Sequence, residues 1–216
     1  MFLSVFSSIC FIILLLFYNA LKPKRILPIY NPAMVNLELV DSSIQHIKKF
    51  HRIADFKLKN QNGELVTQKT FENKIYVANF FFTTCPSICP IMTDNMSILQ
   101  NIYKKDSSVL LLSHSVTPKI DSVAQLKKYA LEKGVIDEKW HLVTGQKQEI
   151  YDLARQSYLA VKKNGDGGKH DMIHTENFTL VDPDQRIRGY YDGTSREDMD
   201  EIQKDIKILK VEYSIN

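Results

Sequence analysis

A chain of 216 residues, 44% of them hydrophobic, can bury one core without disulfide staples. Its 28 Lys and Arg stand against 25 Asp and Glu, with no basic stripe or Arg-rich run, which excludes a partner read through a phosphate backbone. Three cysteines are too few for a disulfide framework, and the two beyond the N-terminus, Cys85 and Cys89, are four apart, a spacing that points to site chemistry.

Residues 1–21 carry no charged side chain, and about twenty apolar residues are what a helix needs to cross a bilayer. No small-residue cleavage site follows them, and Ser7-Ser8-Ile9 ahead of Cys10 poorly matches a lipoprotein signal, so the segment reads as a retained transmembrane anchor. The basic side chains Lys22, Lys24 and Arg25 come directly after it, and the positive-inside rule then leaves the rest of the chain cytoplasmic. Residues 22–49, with Pro23, Pro28, Pro32 and a weak helical period over 40–47, read as a linker. The folded domain is expected over 50–216.

Alternation over 53–58, turn residues at 60–63 and a second short run at 64–67 predict a hairpin. Residues 74–82 form a nearly continuous β-branched and aromatic run, the pattern of a central strand buried on both faces. It leads into Thr83-Thr-Cys-Pro-Ser-Ile-Cys-Pro90, after which Met92, Met96, Leu99 and Tyr103 recur at helical spacing. Further on come a buried strand at 109–116, a helix at 121–133 with Asp121 as its N-cap, a strand at 140–144 and a helix at 146–158. A polar Gly-rich loop follows at 162–169. An antiparallel hairpin pairs 177–181 with 186–191, and an amphipathic helix at 195–213 is capped by Ser195 with Asp198 three residues on. Strand, cysteine turn and helix make the thioredoxin arrangement. The fold expected is α/β, a central mixed, mostly parallel sheet flanked by helices.

If Cys85 and Cys89 share the first helical turn, i and i+4 put their sulfurs on one face, where they can hold a metal together or oxidise to a disulfide. The free N–H groups of a helix N-terminus favour thiolate over thiol. Two thiolates suit Cu(I) or zinc, but four zinc ligands are not available from a single cysteine pair, so a third ligand must come from elsewhere. His46, His51 and His141 read as surface or packing residues and His114 as a core histidine. His174, ending the Gly-rich loop, can swing toward the cysteine turn; His170, four residues earlier, competes with it, and spacing does not choose between them.

The strand at 77–82, the string Thr84-Cys85-Pro86-x-x-Cys89-Pro90, and His174 ahead of Phe178-Thr-Leu-Val-Asp-Pro-Asp184 resemble the Sco/SenC family from about residue 53 to the last helix. The resemblance implies a thioredoxin-like, membrane-anchored metallochaperone that helps load copper into cytochrome c oxidase. Cys85, Cys89 and His174 would be its ligands for Cu(I) and Cu(II), and the oxidase's copper-bearing subunit or another copper-carrying protein its partner. It also implies an extracytoplasmic domain on the cytoplasmic membrane, against the positive-inside reading. The competing class is an enzyme, a thiol–disulfide oxidoreductase using Cys85 and Cys89 as its redox pair. One departure stands out: many relatives carry an acid where this chain has Thr117, although Asp121 is close by.

Overall fold

The computed structural model describes residues 2–21, 25–35, 40, 43–160, 173 and 175–215. The run that reads as a central strand is one: β3 (Ile75–Phe81) buries all seven side chains. Such a run offers water no polar face, so it is stable only where both sides of the sheet are covered.

Two short strands precede it, β1 (Lys57–Lys59) and β2 (Leu65–Thr67), paired antiparallel as the expected hairpin. Residues 53–56, expected to belong to the first of these, lie outside the ladder because their N–H groups find other partners. Ile53 donates to Gln185 O, Ala54 to Ser157 Oγ and Phe56 to Gln68 Oε1.

The main sheet adds β4 (Val109–Ser115), β5 (Trp140–Val143), β6 (Asn177–Val181) and β7 (Ile187–Asp192), in the order β5-β4-β3-β6-β7. Pairings β3–β4 and β4–β5 are parallel, and β3–β6 and β6–β7 antiparallel. The sheet is therefore evenly mixed in its pairings rather than mostly parallel. For β6–β7 the cause is local: the turn after β6 closes on Asp182, whose Oδ1 accepts from Arg186 N, with Gln185 in the left-handed region at φ 62°, and returns the chain beside the strand it left.

The helices are α1 (Phe2–Leu21), α2 (Ile88–Ile102), α3 (Val123–Lys133), α4 (Lys147–Asp152) and α5 (Arg196–Glu212). In α2 the apolar spacing buries Met92, Met96 and Leu99 completely, each worth roughly 1.5–3 kcal/mol of transfer free energy. The N-cap of α3 is Ser122, not Asp121: Ser122 Oγ accepts from Gln125 N at 3.3 Å, while Asp121 is wholly buried one residue earlier. The helix expected over 146–158 is α4 followed by a π turn at Leu153–Ser157, closed by Tyr158 N donating to Leu153 O at 2.8 Å. Ser195 caps α5 as expected, accepting from Asp198 N at 3.2 Å.

The stretch that enters the domain from the N-terminal side is built into it. Leu27 is buried, Tyr30 N donates to Ile187 O on the edge strand β7, and the Tyr30 and Tyr190 rings meet edge-on at 5.3 Å. This strap covers part of an otherwise open sheet edge. Among the described residues no helix is long and apolar enough to cross a membrane.

Candidate functional site

The chain leaves β3 at its C-terminal end and turns at once into α2, and the cysteine turn lies between. Helix α2 begins at Ile88 with Ser87 as N-cap, so Cys89 sits in the first turn while Cys85 precedes the helix. The shared helical face expected for the pair is not what joins them. Cys85 N donates to Phe82 O at 3.3 Å, folding the loop back so that the two thiols hydrogen-bond each other across the helix start. Both are free and buried, 7% and 4% exposed, beside a loop on which Thr84, Pro86 and Ser87 are exposed.

The two sulfurs are driven apart in acidity. Burial alone would push the Cys85 thiol up. Against this, its sulfur accepts hydrogen bonds from the Cys89 thiol, from the N–H groups of Ser87 and Cys89, and from the Ser87 hydroxyl at 3.8 Å, and together these bring it below the ordinary range. Those N–H groups are the orphan donors of a helix N-terminus, and the sulfur does the work of a side-chain cap. For Cys89, burial pushes the thiol up, donation to Cys85 adds to this, and the charge of Asp121 adds further, to about 12.

Asp121 is the polar anchor behind the turn. Its carboxylate accepts from Thr83 Oγ1 at 2.6 Å and Thr83 N at 3.3 Å, from Ser115 Oγ at 2.6 Å and from Thr117 Oγ1 at 3.0 Å. It thereby ties the residue two before Cys85 to the end of β4 and the start of α3. Sequence reading assigned Asp121 to a helix cap and missed this role, as well as Thr83 and Ser115. The signal present was a carboxylate among Ser and Thr side chains just past a buried strand.

Residues 45–210 match the family model SCO1/SenC. This chain belongs to the SCO1/SenC family. It is 34% identical over 159 residues to the SCO1 protein homolog of Bacillus subtilis, covering 73% of this chain and 82% of that one. Its fold is similar to that of BsSco, described as a member of the Sco family of cytochrome c oxidase assembly proteins in which a disulfide switch was identified. The two are 33% identical with a TM-score of 0.63, over 74% of this chain and 93% of that one. It is similar too to copper-bound ScoI of Bradyrhizobium japonicum, at 27% identity and a TM-score of 0.59, over 74% of this chain and 99% of that one.

The histidines of this Sco/SenC chain sort by surroundings. His114 is wholly buried, stacked on Phe80 at 4.9 Å and edge-on to Tyr158 at 5.2 Å, and burial pushes it down to about 3, which makes it a neutral core ring. His51 Nε2 lies 2.7 Å from Ser157 O, His141 packs edge-on against Phe71, and His46 is exposed. His170 and His174 lie outside the described residues. Among the described residues no group of three His, Cys, Asp or Glu side chains is placed to hold a metal ion. The described part contributes two soft sulfurs, a donor set suited to Cu(I).

Thr117, the position expected to depart from the family pattern, donates its hydroxyl to Asp121 at 3.0 Å and so gives that buried carboxylate one more donor.

The acidity difference predicts an order of alkylation. Cys85, held low, is thiolate at a lower pH than Cys89, which stays protonated until about 12. Iodoacetamide on the reduced protein near pH 8 should modify Cys85 first, as read by peptide mass spectrometry. Equal labelling, or Cys89 first, would contradict the geometry.

Proposed function

We propose that this chain is a membrane-anchored copper chaperone for cytochrome c oxidase assembly. It binds Cu(I) through Cys85 and Cys89 with His174 as third ligand, and passes the ion to a copper-carrying partner. The observation that carries the reading is the pair of buried, mutually hydrogen-bonded thiols at the start of α2, within a family that includes copper-bound members.

His174 lies outside the described residues, and its role as third ligand is proposed from the family resemblance. Its described neighbours Ile173 and Thr175 are buried, and Thr175 Oγ1 donates to Ala160 O at 3.0 Å.

On binding, the remaining thiol protons leave to solvent, two S–Cu bonds form, and the ion keeps its oxidation state. Delivery is ligand exchange, in which a partner's sulfur or nitrogen takes up each position that Cys85, Cys89 or His174 gives up.

Anchoring is proposed through residues 1–21, on the ground that they carry no charged side chain. The domain, proposed over 50–216 with 22–49 as a link to the anchor whose strap packs on β7, is assigned to the extracytoplasmic side. Protease added to intact spheroplasts should digest it, and full protection would place it inside.

A second reading, thiol–disulfide exchange, is favoured by the same acidity difference. A low Cys85 attacks a partner disulfide, the partner's thiolate leaves, and Cys89 then gives up its proton and displaces the partner from Cys85. One substitution separates the two. His174→Ala should weaken Cu(II) binding by about 100-fold, more than the loss of an outer-shell group usually costs, while leaving exchange with a model disulfide unchanged. If anaerobic titration showed His174→Ala and wild type holding copper equally, the three-ligand chaperone site would be wrong.

A further inference from the structure

The strap and α5 carry a surface that neither copper nor thiol chemistry uses. Residues Glu197, Asp200, Lys204, Lys207 and Val211 follow each other at helical spacing along the exposed side of α5. The line is acidic over its first half, basic over the next turn and apolar at its end. Beside its basic and apolar part runs the strap, where Ile26 is 79% exposed and Val211, across from it, 71%. Arg25, Ile26, Lys207, Ile208, Val211 and Glu212 line a shallow, mostly apolar groove of about 730 Å³ between them. The acids beside this patch are already engaged: Glu212 accepts from Arg188 at 2.8 and 2.9 Å, and Glu201 from Arg25.

Two facts of placement say what lies against it. Only three residues separate Leu21, the end of α1, from Arg25, and a fully extended chain covers about 14 Å in those four steps. Whatever surface holds the end of α1 therefore lies within that reach of Arg25, the neighbour of Ile26. The second fact is direction. Helix α5 starts just past Asp192, with Ser195 N donating to Asp192 O, and runs back to the other end of β7, where Glu212 meets Arg188. Strands β7 and β3 both run antiparallel to β6, so the Asp192 end of the sheet is the end at which β3 delivers the cysteine turn. The basic and apolar end of α5 is thus the end away from the site.

We propose that α5 from Lys204 to its end, together with Ile26, forms a foot that rests on the headgroups of the anionic bilayer holding α1. The proposal rests on the membrane-anchor reading above and adds an orientation to it. The apolar side chains enter the headgroup region, Lys204 and Lys207 meet anionic headgroups, and the acidic first half of α5 is held off the surface. The cysteine turn then faces away from the membrane, higher by the length of β3, on the order of 20 Å. A copper acceptor is consequently met by a site standing clear of the lipid.

The test is brominated-lipid quenching of added tryptophans in the full chain. It is reconstituted in vesicles of about seven parts phosphatidylcholine to three parts phosphatidylglycerol. Val211→Trp and Ile26→Trp probe the foot independently, and Ile91→Trp on α2 probes the cysteine end; Trp140, 1% exposed, is a constant background. The added fluorescence at 211 and 26 should fall by about half or more in brominated vesicles and that at 91 should stay unchanged, since a foot of this kind enters only the outer bilayer. Adding Lys204→Glu and Lys207→Glu should remove the effect at 211. If the protein floats with the vesicles but neither foot position is quenched, the foot is wrong and the anchor stands. If the protein does not float with the vesicles, the anchor fails and takes the foot with it. Shielding at 211 that rises with protein concentration in detergent, without lipid quenching, would assign the patch to a second copy and overturn the proposal.

Discussion

Replacing Cys85 with Ser should lower the affinity for Cu(I) by at least about 100-fold, or roughly 2.8 kcal/mol, and Cys89→Ser should do the same. The expectation follows from the donor set. Removal of an outer-shell partner typically costs a metal site 10–100-fold, and a sulfur bonded to the metal contributes more than that. A serine hydroxyl is a hard donor that keeps its proton at neutral pH, so neither its softness nor its charge matches what Cu(I) takes. Among the described residues no third His, Cys, Asp or Glu stands ready to replace the lost sulfur. An anaerobic competition titration against a Cu(I) chelator measures the change, and affinities within tenfold of wild type for both variants would sink the site.

The two variants should differ in their second effect. In Cys89→Ser the Cys85 sulfur loses the Cys89 thiol as a donor but still faces the Ser87 and residue-89 N–H groups, so it should remain open to alkylation. In Cys85→Ser the remaining thiol is the one that burial and Asp121 hold in its neutral form, and the turn loses the sulfur that caps α2. The acid–base asymmetry thus belongs to the loop's geometry and not to the cysteines as a residue type.

Much of this was legible in the sequence wherever a pattern had one physical solution. The apolar run in β3 could only be an interior strand, and helical spacing in α2 could only present Met92, Met96 and Leu99 to it. The cysteine pair was visible from its spacing, but not how the sulfurs meet. That depends on where α2 begins: for both cysteines to share its first turn it would have to start at Cys85, whereas its start at Ile88 puts Cys89 in the helix and leaves Cys85 outside it. Asp121 was misread for a related reason. A carboxylate one residue before a helix resembles a cap, and only tertiary pairing to Thr83, Ser115 and Thr117 reveals it as the anchor of the turn. The division of the sheet into parallel and antiparallel halves depends on which strand the 177–181 segment joins, and that choice is made by long-range packing.

Arg188 presents the largest expected loss of stability outside the site. Its side chain is 1% exposed, and Nη1 donates to Asp182, itself wholly buried, at 3.0 Å. The guanidinium also donates to both oxygens of Glu212 and to the carbonyls of Leu27 and Pro28, so β7, α5 and the strap meet on one cation. Arg188→Met keeps much of the volume and removes every donor. Breaking a buried ion pair from one side costs about 3–5 kcal/mol, because the partner charge stays buried without compensation. Asp182 keeps Arg186 and the Tyr213 hydroxyl as partners, at 2.9 and 2.8 Å, which sets the expectation at the lower end, about 3 kcal/mol. Urea unfolding of the full chain in detergent should show the midpoint falling with the slope little changed, since the surface exposed on unfolding is nearly the same. The two strap carbonyls lose their donor at the same time, so limited proteolysis should begin to cut between Arg25 and Tyr30 under conditions that leave wild type intact. Glu212→Gln removes the charge of one partner but leaves an acceptor for Arg188, and should cost less than half as much. Equal losses for Arg188→Met and Glu212→Gln would mean that the strap and Asp182 contribute little, and that α5 alone depends on the arginine.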